Sequence, residues 1–153
     1  MTQVIFNFGG TLDKFVGAEV IALFGSPVAM EDHAFHAAEA ALEMQALHEG
    51  LQRDLKAQGK ELPPMGVGIS SGEVIAGEFG PPIRTDFTAM GRTMNLGSRL
   101  CGVAGPGQVY VSEMTAEMLG DRASLHALDP VSLKGIGETV AAFQLERLKR
   151  QNG

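Results

Sequence analysis

The segment "EDHAFHAAEAALEMQALHEGLQRDLKAQG" at 31–59 constrains this chain more than any other. Ala37, Ala41, Met44, Leu47, Leu51 and Leu55 recur near helical spacing. Glu31 and Asp32 fall in the first turn, where negative charge suits the helix dipole, and Gly59 can stop the helix. A helix of this length must cover something, and what surrounds it is short. Apolar runs of strand length lie on both sides, broken by Gly, Pro and Ser.

"TLDKFV" (11–16) and "EVIALF" (19–24) suit two paired strands joined at Gly17-Ala18, although alanine lacks the tolerance for positive φ that such turns favour. Residues 1–8 read as a short apolar stub running into Gly9-Gly10, with no element before it, so the start is expected to be truncated. "MGVGISSGEVIAGEFG" (65–80) reads as a second hairpin around Ser70-Ser71-Gly72. No Gly-Lys-Ser/Thr follows its glycines, so it is not a phosphate loop. "TDFTAMG" (85–91) is strand-like. "RTMNLGSRLCGVA" (92–104) is helical, with Met94, Leu96, Leu100, Cys101 and Val103 available for burial, and Asn95 and Arg99, four apart, share a face. "GQVYVSEMTAEMLG" gives a strand, an N-cap at Ser112 and a short helix. "VSLKG" and "AAFQLERL" close the chain as strands. Strands and helices that alternate with hairpins, rather than as a uniform βαβ series, predict an α+β fold with helices packed on a mixed, mainly antiparallel sheet. At 153 residues the chain is expected to form one domain, 1–153.

A net charge of −6 with no Lys/Arg cluster argues against nucleic acid and anionic lipid as partners, since both call for a concentrated positive patch. No apolar run approaches the length that spans a bilayer, and "MTQVIFNF" lacks the basic start of a signal peptide, which predicts a cytoplasmic protein without membrane contact. The single cysteine, Cys101, is expected to be a buried inert thiol. His33 and His36 share a helical face at a spacing that can bind metal, but no third ligand suggests itself. The scattered methionines suit core filling.

Six strings occur in order: "GGTLDKFVG", "PVAMEDHAFHAAEAALEMQ", "GVGISSGEVIAGEFG", "DFTAMGRTMNLGSRL", "PGQVYVSEMT" and "VSLKGIGE". Together they resemble the catalytic domain of class III adenylate and guanylate cyclases over nearly the whole chain. The resemblance implies a ferredoxin-like fold, conversion of a nucleoside triphosphate to a cyclic monophosphate and pyrophosphate, and active sites at the interface of two such domains. It implies that Lys14 and Thr88 read the base. An ammonium can only donate, which suits N1 of adenine, and a hydroxyl can accept from the N6 amine, so ATP is implied over GTP. Asn95 matches the residue that orients the ribose, Arg99 the one that stabilises charge on the α-phosphate, and Lys134 the one that contacts the terminal phosphates.

Mg or Mn is the family's cofactor, held by two aspartates, and both positions depart from the pattern here. The first aspartate belongs to an opening strand of the form Phe-x-Asp-hydrophobic-x-Gly-Phe, which these residues lack. The second position is Ala18. Glu19 is adjacent, but one step along a strand turns a side chain to the other face. No metal ligand is therefore assigned, and an isolated chain is expected to be impaired. Three functions remain open: an adenylate cyclase domain without its first strand, a pseudocyclase serving as a dimerisation or nucleotide-sensing module, and the non-metal half of a heterodimeric cyclase. ATP and a second cyclase domain, in a homodimer or heterodimer, are the implied partners. The absent strand would be central in such a sheet, leaving unpaired edges on both neighbours.

Overall fold

The computed structural model describes residues 2–79, 86–132 and 138–149, with the backbone alone at 76, 78, 79 and 86–88. A four-stranded mixed sheet is its centre. Strands β3 (Val67–Ile69), β6 (Val109–Ser112), β7 (Ala123–Ala127) and β10 (Ala142–Leu148) lie in the order β3-β6-β10-β7, with β3 parallel to β6 and the other two pairings antiparallel. Three two-stranded sheets stand beside it. They pair β1 (Thr11–Val16) with β2 (Glu19–Leu23), β4 (Ile75–Phe79) with β5 (Asp86–Met90), and β8 (Val131–Ser132) with β9 (Thr139–Val140). The α+β class expected from the sequence is the observed one.

Alternation along the strands decides which helix covers which face. Ile69, Val109, Val111 and Leu145 point to one side and form a core with Ala38 and Ala41 of α2 (His33–Ala57) and Leu119 of α4 (Glu113–Leu119). Gly68, between two residues of that face, carries α3 (Arg92–Val103) on the opposite side. A Cβ at Gly68 would collide with the Cys101 amide nitrogen and the Gly97 carbonyl, so the absence of a side chain there sets how closely α3 approaches the sheet.

Several elements depart from the sequence reading. Residues 1–8 are more than a stub: Thr2–Asn7 forms helix α1, with Val4 and Ile5 buried against α2 and β1. Helix α2 buries Ala34, Ala38, Ala40, Ala41 and Gln45, while Leu47 and Leu51, expected on its inner face, are about half exposed (46% and 50%). The small alanines allow close approach to the sheet, so they take the inner stripe from the leucines. Asp32 sits outside the first turn as the N-cap, at φ 58, and makes no capping bond. Its carboxylate instead receives both arms of Arg122. Gly59, at φ 77, ends α2 as anticipated, its N–H donating to Lys56 O and that of Lys60 to Leu55 O.

Residues 65–79 do not form the hairpin expected of 65–80. β3 joins β6 in the central sheet and β4 turns away to pair with β5, because strand pairing is fixed by partners distant in sequence. Helix α3 has only Leu100 fully buried. Strand β7, an edge of the central sheet, and the two-residue β9 are not anticipated by the sequence reading. Among the described residues β3 is paired on one edge only, and the β1–β2 sheet is bonded to no other strand. On α3 the Cys101 thiol, half-buried, reaches the Gly66 carbonyl at 3.6 Å. Among the described residues no helix is long and apolar enough to cross a membrane.

Candidate functional site

The β1–β2 hairpin carries the first candidate residues. Gly17 takes the positive φ (60°) of its two-residue loop, which relieves Ala18 of a conformation that costs alanine energy, and Ala18 presents an exposed methyl group at the tip. A β-bulge between Leu12 and Lys14 shifts the register there, so Lys14 pairs with Ile21 and stands on the same face as Glu19. Lys14 is exposed. β1 packs against β5, on which Thr88 pairs with Gly77, so the strands of Lys14 and Thr88 come together; the Thr88 side chain lies outside the described residues.

β5 leads through Gly91 into α3, whose first backbone bond runs from Asn95 N–H to the Gly91 carbonyl at 3.1 Å. Asn95 is exposed one turn in. Arg99 follows a turn later, half-buried, and its Nε donates to the Ser132 carbonyl of β8 at 2.9 Å. Lys134 falls between β8 and β9, outside the described residues. The fold thus links β1, β5, α3 and the β8–β9 hairpin in one continuous set of contacts.

A dication needs several carboxylate oxygens converging on one point. Ala18 has none to offer. The Glu19 carboxylate accepts from Ser98 Oγ at 3.3 Å, which turns it toward α3. Its charge also reaches Cys101, whose thiol is pushed up from its ordinary pKa mainly by burial and secondly by Glu19. Asp13, in the bulge, has both carboxylate oxygens buried without a hydrogen-bond partner. Among the described residues no three Asp, Glu, His or Cys side chains gather. The residues of this hairpin do not fit a catalytic metal pair. His36, considered for metal from its spacing, lies 3.6 Å from Glu39.

Sequence reasoning missed three features. They are the buried Asp13 carboxylate, the Ser98–Glu19 contact and an ion pair from Arg92 Nη2 to Glu138 Oε2 at 2.9 Å. The seven-residue spacing of Arg92 and Arg99 shows that the two share a helical face, but nothing local points to Glu138.

Residues 11–147 match the adenylate and guanylate cyclase catalytic domain. The chain belongs to that family. It is 34% identical to adenylate cyclase 1 of Rhizobium meliloti over 102 residues, 67% of this chain but 15% of that protein. The adenylyl cyclase CyaB from P. aeruginosa superposes with a TM-score of 0.86 at 28% identity, covering 99% of this chain and 79% of that one. The guanylyl cyclase Cya2 superposes at 0.84 with 31% identity, covering 96% and 75%. These two structures, one of an adenylyl and one of a guanylyl cyclase, resemble the chain about equally, so the likeness of fold does not choose the base.

Proposed function

We propose that this chain is an adenylate-cyclase-type domain that supplies the base, ribose and phosphate contacts of a site shared with a second domain, converting ATP to cyclic AMP and pyrophosphate. One observation carries this reading. A single hairpin carries Lys14, which the family resemblance assigns to the base, and Ala18, with only a methyl group, at the position the resemblance gives to a metal aspartate. Lys14 and Thr88 select adenine through a donor and an acceptor in that order. Asn95 orients the ribose and Arg99 stabilises charge that builds on the α-phosphate, a contribution of roughly 3 kcal/mol for a well-placed group. Lys134 holds the terminal phosphates.

Exposed apolar side chains support association with another domain. Phe15 (61%) and Val20 (37%) are cross-strand partners on the first hairpin, and Ile75 (67%) and Met90 (50%) are partners on β4–β5. Alone, the chain should make little cyclic AMP with Mg²⁺ or Mn²⁺. Mixed with a domain that has both metal aspartates but lacks the asparagine and arginine, it should give activity that neither has separately. Arg99→Ala should remove that gain by ~10²-fold or more. Robust cyclic AMP production by the homogeneous chain would overturn the need for a different, metal-bearing partner and point to Glu19 as a ligand. A mixture that associates and binds ATP yet stays silent would leave the pseudocyclase reading.

A further inference from the structure

Arg92 and Arg99 are seven residues apart on α3, about two turns, so they project from one stripe of the helix. Both grip the same small object. Arg99 Nε donates to the Ser132 carbonyl at 2.9 Å, and Arg92 Nη2 donates to Glu138 Oε2 at 2.9 Å. Ser132 ends β8 and Glu138 immediately precedes β9, so the two contacts fall on the two arms of one hairpin. Each arm has only two strand residues, paired Val131 with Val140 and Ser132 with Thr139, and among the described residues the hairpin pairs with no other strand. These side-chain grips tie it to α3, while β9 runs through Ala141 into β10 of the central sheet.

We infer that Arg92 and Glu138 are positioning residues for Arg99. The ion pair pins the β9 arm, the two ladder pairs carry that constraint to the β8 arm, and the Ser132 carbonyl then fixes the plane of the Arg99 guanidinium through Nε. With Nε occupied, Nη1 and Nη2 form the planar fork that suits phosphate oxygens. The inference deepens the role proposed above for Arg99 and rests on it for its functional meaning, but the mechanical part stands on geometry alone. Both partners are well exposed, 60% and 57%, so the effect is limited to that of a surface pair.

The test separates the two layers. In protein labelled with ¹⁵N at arginine Nε, the Arg99 Nε–H resonance is assigned by its loss in Arg99→Lys. In Arg92→Gln and in Glu138→Gln its hydrogen exchange should quicken by up to about fivefold, the limit for an exposed ion pair. The exchanged pair Arg92→Glu with Glu138→Arg should restore slow exchange, which a role limited to local packing would not predict. ATP affinity by calorimetry should weaken in parallel in the single variants, by no more than a similar factor. An Arg99 Nε–H signal unchanged in both single variants overturns the inference. Faster exchange with ATP affinity unaltered upholds the positioning and overturns a ground-state ATP contact by Arg99, confining it to the charge that builds on the α-phosphate in the transition state.

Discussion

At Gly68 the backbone of α3 leaves no room for a side chain. An added methyl group would meet backbone atoms of Cys101 and Gly97 rather than flexible side chains, so α3 would have to lift from the sheet. Gly68→Ala should destabilise the protein by ~3 kcal/mol, as overpacking at a rigid contact does, seen as a lowered urea midpoint. Because α3 carries Asn95 and Arg99, the same change should weaken ATP binding. Asp32 makes the stability depend on pH. Hydrogen bonds from Arg122, at 2.5 and 2.8 Å, hold its carboxyl below the ordinary range, and the guanidinium also lies 4.7 Å over the Phe35 ring. A lowered folded-state pKa means that the unfolded chain binds the proton more readily. The stabilisation is complete above the unfolded value, about 3.9, and is lost as pH falls through the lower folded one. Arg122→Met should therefore flatten the loss of thermal stability below pH 4, modestly, since the pair is largely solvated.

Beside the apolar core, a few buried polar groups fix how the elements meet. The Gln45 amide, inside α2, donates to the Met65 carbonyl at 2.8 Å and the Gln108 carbonyl at 3.0 Å, the residues leading toward β3 and β6. It thereby sets the register of the helix against the two parallel strands. Both carbonyls keep another donor, from Gly107 N and Val67 N, so Gln45→Leu should cost ~1–2 kcal/mol rather than a full desolvation penalty. Thermal unfolding would measure it. At the next junction Ser112 Oγ accepts from Thr115 N–H at 3.3 Å, and the Thr115 hydroxyl bonds Ser112 and Ser71. Ser112→Ala should cost ~1 kcal/mol as a lost N-cap. Only the first link of this chain is visible in the string "VSEMT", because Ser71 arrives from a different part of the sequence.

Across the whole molecule, apolar surface is left on both flanking hairpins. Phe15 with Val20 and Ile75 with Met90 are cross-strand pairs whose side chains share a face in each two-stranded sheet. A second cyclase domain seated there would bury them. Phe15→Ser together with Ile75→Ser should shift sedimentation toward the monomer and reduce complementation with a metal-bearing domain, while the unfolding midpoint changes little because neither residue belongs to the core. Sedimentation unchanged by the double substitution would place the interface elsewhere.

The sequence by itself determined the elements whose signals are local. These are the β1–β2 hairpin with glycine at its bend, the long helix stopped at Gly59, the serine cap, and an α+β class. Its ordered strings also reached the family. Tertiary structure alone decided which partners those elements chose. The inner face of α2 fell to alanines because the sheet rewards close approach over side-chain volume, a fact about the neighbour and not about the helix. β3 and β4, adjacent in sequence, separated because their hydrogen-bonding edges were claimed by β6 and β5. The grip of Arg92 and Arg99 on a hairpin some forty residues away depends on where that hairpin lands, and side-chain periodicity carries no record of such a distance.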